Sequence, residues 1–462
     1  MVNEITDIYP DKNGRVIWLC VGGVLAIVWQ ILIVLKPLEW GISTAILIAG
    51  LVLVTYPEIF LGFAVAGSSL VYFLFLLALG IGEGARILTY VTAAMVFVLY
   101  ILARGTFVRL RGLPIVMIAM TVLLCIGNLY TNSPNYGCRK ALLFIMMCTF
   151  PFLVGYQLSS VWHRLHKFYM VILCFGICLA LGSIVLMMLG VIDVAARFAL
   201  VVENPIWFAR LMGTSVLILL YLMSIHHSYR VRLMSGIAIL LIIPPLLVTG
   251  SRGPVLALII VLFVSLFLSS SRERIKQRIA AFVIVLATVG LAFFLVGKQF
   301  IIVQRLVHFG GLSSALRLRH FATAWRLFLD SPIIGHGTGG YAVTSIGRDI
   351  RFYPHNVFLE ILSELGIVGG FVLATFIVLT SLAAFRLLFR LRIPPEEREL
   401  AALCILIFIF AFANSLVSGD LPLNSYFWFV PGMIWGLYDR FACRDARTLY
   451  KQAETHGHTH ET

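Results

Sequence analysis

Residues 353–370 read Tyr353-Pro354-His355-Asn356-Val357-Phe358-Leu359-Glu360-Ile361-Leu362-Ser363-Glu364-Leu365-Gly366-Ile367-Val368-Gly369-Gly370. The first half closes a long polar interval, and the second half opens an apolar run that continues to about residue 390. A run of that length spans the ~30 Å hydrocarbon core of a bilayer as a helix. The stretch therefore marks a chain entering a membrane, with a histidine, an amide and two carboxylates gathered at the point of entry.

The same reading extends outward in both directions. Hydrophobic residues make up 61% of the 462 and charged residues 12%, too apolar a mixture for a soluble domain of this size to hide. A β-barrel would instead show short alternating segments. The expected fold is an all-α polytopic membrane protein with about 12–14 transmembrane helices. Spans are read at 16–35, 39–55, 58–81, 86–103, 113–130, 140–157, 168–190, 205–226, 232–249, 253–270, 280–297, 366–390, 400–418 and 424–440, the ninth interrupted by Pro244-Pro245. The first run, Val16 to Leu35, is too long for the core of a cleavable signal. The domains follow: an N-terminal transmembrane bundle at 1–297, a large outer loop at 298–365, C-terminal transmembrane helices at 366–441 and a tail at 442–462.

Charge placement orients the spans. With both termini cytoplasmic, Arg104, Arg109 and Arg111, the Arg272-Arg274-Lys276-Arg278 cluster, the group from Arg386 to Arg398 and the tail arginines all fall inside. That is the pattern short loops follow. It also explains the net charge of +14 without nucleic acid. The interval from Lys298 to Leu365 carries seven basic residues on the outer side, which suits an anionic ligand as well as a solvated surface. Within it Leu318, Phe321, Trp325 and Phe328 recur at helical spacing, with Arg319 and Arg326 on another face. This predicts an amphipathic helix on the membrane surface, ended by Ser331-Pro332 and followed by a flexible, glycine-rich turn at Gly335, Gly337, Gly339 and Gly340. No metal-ligand spacing appears among the eight cysteines, and no cofactor motif is present.

Four groups of residues could carry chemistry. Pro354 biases Tyr353 away from helix, so a helix begins near His355 or Asn356, with Asn356, Glu360 and Glu364 on one stripe. His355 is then either a base for a hydroxyl proton or a residue capping the helix. Arg252, in Gly250-Ser251-Arg252-Gly253-Pro254, sits at a helix start, where free N–H groups and a guanidinium together suit a diphosphate. Snorkelling to lipid headgroups is its other reading. Arg210 lies more than a turn inside an apolar span, a costly position that marks either function or an ion pair with Glu203 or Asp193. Arg317 and Arg319 start the amphipathic helix; either could hold a phosphate, and a solvated face is the other reading for at least one of them. The topology puts all of these on the outer face.

These residues resemble the O-antigen ligase and O-antigen polymerase family of bacterial envelope glycosyltransferases. The resemblance rests on Gly250-Ser251-Arg252-Gly253-Pro254, on Trp325 through Gly337, and on His355-Asn356 followed by Leu359-Glu360, Glu364-Leu365-Gly366 and Gly369. It implies a multi-pass protein of the bacterial inner membrane whose large loop is periplasmic. Its donor would be an undecaprenyl diphosphate-linked glycan and its acceptor a glycan or lipid. His355 would activate the acceptor; Arg252 and Arg210 would bind the diphosphate, with Arg317 and Arg319 as further candidates. Tyr353, Asn356 and Glu360 would support them. No cofactor or metal is implied. A transporter or flippase of lipid-linked oligosaccharide is the alternative, disfavoured by the absence of an internal repeat.

Overall fold

The computed structural model describes residues 112–457, except 160, 191–204, 227, 269–271 and 297–311. The four spans expected before residue 104 therefore lie outside the described residues. Within them the chain is all-helical, with no strand. Numbered from the first described helix, α1 is Leu113–Gly127, α2 Pro134–Leu158, α3 Trp162–Met188, α4 Pro205–Ile225, α5 Tyr229–Val248 and α6 Arg252–Phe267. Then come α7 Arg272–Val296, α8 Leu312–Asp330, α9 Gly340–Ile346, α10 Val357–Phe389, α11 Pro395–Ser415 and α12 Ser425–Gly457. Six of these, α2 to α5, α10 and α11, are long and apolar enough to cross a membrane. The protein is an all-helical, multi-pass membrane protein.

Local chemistry sets most boundaries. Pro134, Pro205 and Pro395 each open a helix, where their missing N–H costs nothing. Pro244 and Pro245 do not interrupt the ninth span; α5 runs through both. The core lies where α2, α4, α10, α11 and α12 pack together, around Phe144, Phe152, Phe376, Phe427 and Trp428. Helix α8 buries Ala324 and Leu327 against Tyr341, Phe352 and Leu359. Its opposite side leaves Leu318 66% exposed, with Trp325 and Leu329 also in the open. The stripe read from sequence is therefore not the face packed on the protein: Leu318 and Trp325 are exposed, and Phe321 and Phe328 are half-buried.

The element that most shapes the site is a break in α10. Gly366 has φ 61° and ψ −158°, a conformation open essentially to glycine alone, and the helix resumes directly after it. The segment between α8 and α9 threads this break. The carbonyls of Pro332 and Ile333 accept from the amides of Ile367 and Val368, and the amides of His336 and Gly337 donate to the carbonyls of Ser363 and Glu364. A Cβ on Gly366 would sit 2.3 Å from the Ile333 oxygen, and one on Gly335 would sit 2.3 Å from the Glu364 carbonyl carbon. The glycines are therefore not a flexible turn. They let two backbones approach closely enough to satisfy each other's exposed polar groups.

Candidate functional site

The site is organised by the turn between α11 and α12, residues 414–424. It holds Asp420, buried and bonded by three residues through four hydrogen bonds. Arg351 donates to it through Nε at 2.9 Å and Nη2 at 3.3 Å, Tyr136 through its hydroxyl at 3.3 Å, and Leu423 through its amide at 3.1 Å. Arg210, from the first third of α4, reaches the same turn. Its Nη groups donate to the carbonyls of Asn414, Ser418 and Leu423 at 3.1–3.4 Å, so one guanidinium ties the end of α11 to the start of α12. Its Nε is buried without a hydrogen-bond partner and lines a small cavity with Asn414 and Asn424. The alternative pairing of Arg210 with Glu203 or Asp193 lies outside the described residues.

Two more elements meet the turn. Gly253 packs on Val417, which sets the first turn of α6, with Arg252 as its first residue, against residues 416–418. Asn356 donates from Nδ2 to the Leu416 carbonyl at 2.9 Å. Its Oδ1 accepts from the Leu359 amide at 3.1 Å, so Asn356, rather than His355, is the cap of α10. His355 sits just outside with φ 62°, the one non-glycine residue in left-handed backbone among those described. That conformation is stored strain of the kind that clusters at functional positions.

The left-handed turn places the His355 imidazole among rings. Tyr353 lies 4.6 Å away edge to face, and His320 of α8 lies 6.0 Å away between centroids. His355 Nδ1 is buried with no hydrogen-bond partner in the protein. Burial, then the Arg317 guanidinium and His320, push its pKa down to about 4. The imidazole is thus neutral and able to accept a proton at ordinary pH. Burial and the Asp420 carboxylate push the Tyr353 phenol up to about 12, so it stays a neutral donor. His320, lowered by burial, is paired through Nδ1 with the Tyr341 hydroxyl at 3.2 Å. Arg317 thus stands within electrostatic reach of His355. Arg319 is exposed, roughly 200° further round α8, and no contact draws it to this cluster.

The loop carrying these groups is pinned at its start. Asp349 accepts from Ser133 Oγ at 2.6 Å and from the amides of Asn135 and Tyr136 at 2.9 Å, closing the first turn of α2. Burial alone would raise its carboxyl, but these bonds outweigh that and hold it below the usual range. One turn on, Lys140 is fully buried between Glu360 and Glu364. Glu360 and Glu364 do share a stripe, and it faces this lysine.

Sequence reasoning named Arg210, Arg252, Arg317, Arg319, Tyr353, His355, Asn356 and Glu360, of which Arg319 lies apart from the cluster, and missed Asp420, Arg351, Tyr136 and Lys140. Asp420 reads in sequence as part of an ordinary Ser-Gly-Asp turn, and Lys140 as the basic flank of a span. Among the described residues no group of three or more His, Cys, Asp or Glu is placed to hold a metal ion.

Residues 237–374 match a family described as O-antigen ligase. No curated protein sequence matches the chain. The matched segment includes Arg252, Arg317, the threaded break and His355, but not Arg210, Lys140 or Asp420. It marks a membrane enzyme of surface-polysaccharide assembly, with a glycosyltransferase-like role on lipid-linked glycans. Over residues 237–374 the chain is similar to the O-antigen ligase family.

Proposed function

We propose that the protein transfers a glycan from an undecaprenyl diphosphate-linked donor to a hydroxyl of a glycan or lipid acceptor, at the periplasmic face of the inner membrane. The observation that carries this reading is His355: a neutral imidazole with a buried, unpartnered nitrogen, held in strained backbone where four arginine-bearing elements converge. An unsatisfied buried polar atom is uncommon enough to call for a functional account. In the proposed step His355 takes the acceptor's hydroxyl proton, and the oxygen forms a bond to the anomeric carbon. The bond from that carbon to the diphosphate oxygen breaks, and undecaprenyl diphosphate departs with the electron pair. Arg252 and Arg317 hold the diphosphate and offset the charge that develops on it. Arg210, with two nitrogens on carbonyls of the 414–424 turn, forms the wall of that pocket, and Arg319 lies at its outer margin. The arginines supply the positive charge that a divalent cation supplies in other transferases.

The test is transfer in proteoliposomes that contain the purified protein and lipid-linked glycan. His355→Ala should reduce transfer by at least about 10³-fold, on the scale of losing a base and its positioning together, with normal insertion and melting. An active His355→Ala protein would overturn the mechanism. In cells lacking the gene, short capped repeats left on lipid would identify a polymerase, and full-length polymer stranded on the carrier a ligase.

A further inference from the structure

Lys140 has no place in the step just described, yet it is among the most completely buried charges in the molecule. Lys140, Glu360 and Glu364 are each 0% exposed. Lys140 Nζ bonds both oxygens of Glu364 at 2.7 Å and pairs with Glu360 Oε1. Glu364 Oε2 also accepts from the Gly339 amide at 2.9 Å, which ties the carboxylate to the threading segment. Apart from the lysine contact, the Glu360 carboxylate has no hydrogen-bond donor.

Two ionised carboxylates one helical turn apart in a buried interior repel strongly, and the cation placed between them offsets that repulsion. An apolar trio of the same volume would pack there at no such cost. What the charges hold is specific. They join the first turns of α2 to the limb of α10 between Asn356 and the Gly366 break, and through Gly339 to the segment lodged in that break. That limb has His355 and its cap at its head.

We propose that Lys140 is a positioning residue for His355. By bonding Glu360 and Glu364 at once and offsetting one of their two charges, it fixes the 357–365 limb and the threading segment, and so sets the direction in which the imidazole is presented. The proposal rests on the transferase reading for its kinetic consequence, though not for its structural one.

Two readouts test it. In transfer assays Lys140→Met should lower kcat about 100-fold while KM changes less than about threefold, because the diphosphate-binding arginines are untouched. Lys140→Met/Glu360→Gln removes the cation together with one carboxylate, so the net charge of the cluster stays the same. It should recover about tenfold of the lost kcat. Amide exchange, which needs no substrate, should show Gly337 and Gly339 exchanging faster in Lys140→Met and protected again in the double variant. If Lys140→Met fails to insert, Lys140→Arg against the double variant makes the same comparison, with Arg retaining most of the wild-type kcat. Unchanged kcat in Lys140→Met, or a loss that the second substitution does not relieve, overturns the proposal. An inactive wild-type protein with the exchange pattern as expected would sink the transferase reading alone.

Discussion

At the scale of single residues, His355 is set by its neighbours more than by its own chemistry. Exposed histidine titrates near pH 6.5. Here burial comes first, and Arg317 and His320 add to it, bringing the pKa to about 4. A general base works only when unprotonated. The acid limb of kcat/KM should therefore fall as pH drops through about 4, instead of near 6.5. Arg317→Gln removes one of the charges that disfavour the imidazolium. The limb should then move upward, by about half a pH unit for a partly screened charge at this range. Each profile is normalised to its own maximum, because Arg317 also contributes to diphosphate binding. A limb that stays in place would show that burial alone sets the value. The residues that sequence reading missed share one property. Asp420 is bonded by Arg351, 69 positions away, and by Tyr136, 284 away. Lys140 meets Glu364 across 224. No local period or spacing encodes such pairs. Arg252 and His355 were legible because proline and helix-start signals beside them are local.

At the scale of elements, hydropathy located the helices and missed what joins them. Each of the ten spans read between 113 and 440 coincides with a helix, because burial in lipid imposes a continuous apolar run. Sequence reading gives a helix beginning near His355 or Asn356 and a span beginning at Gly366; in the structure the two are one element, α10, with Gly366 a break within it. Hydropathy could not show this, since the break is defined by carbonyls and amides of residues 332–337 that fill it. The consequence is measurable. Gly366→Ala forces a residue with a side chain into glycine-only backbone and drives its Cβ toward the Ile333 carbonyl. It should destabilise the protein by about 3 kcal/mol, visible as a lowered melting temperature in detergent. Gly236→Ala is the control. Gly236 lies inside α5 with open space around it, and the change should be neutral or stabilising by about 0.5–1 kcal/mol. Equal effects at the two positions would mean that the break is not rigid.

At the scale of the whole molecule, polar structure is divided between two ends of the helices. One end carries the 414–424 turn, α8, α9 and the His355 loop. At the other, ion pairs cross between helices: Arg232 with Glu273, Arg274 and Arg278 with Glu399, and Arg440 with Glu397. Part of the basic excess assigned to cytoplasmic loops is thus neutralised by glutamates, which the positive-inside rule disregards because it counts only Lys and Arg. Orientation by that rule still puts the ion-paired end in the cytoplasm and His355 outside. The part of α10 after the Gly366 break, residues 367–389, is about 35 Å long, enough to cross the hydrocarbon core of a bilayer. With the eight native cysteines replaced, single cysteines at exposed Leu329 and exposed Glu396 probe one end each. In intact spheroplasts a membrane-impermeant maleimide should label Leu329→Cys and leave Glu396→Cys unlabelled until the membrane is opened. The reverse pattern would place His355 in the cytoplasm, where a donor assembled for export would already have left. Labelling of both from outside would mean that the two ends do not lie on opposite sides, and the one-sided pocket of arginines and histidine would need a different membrane path.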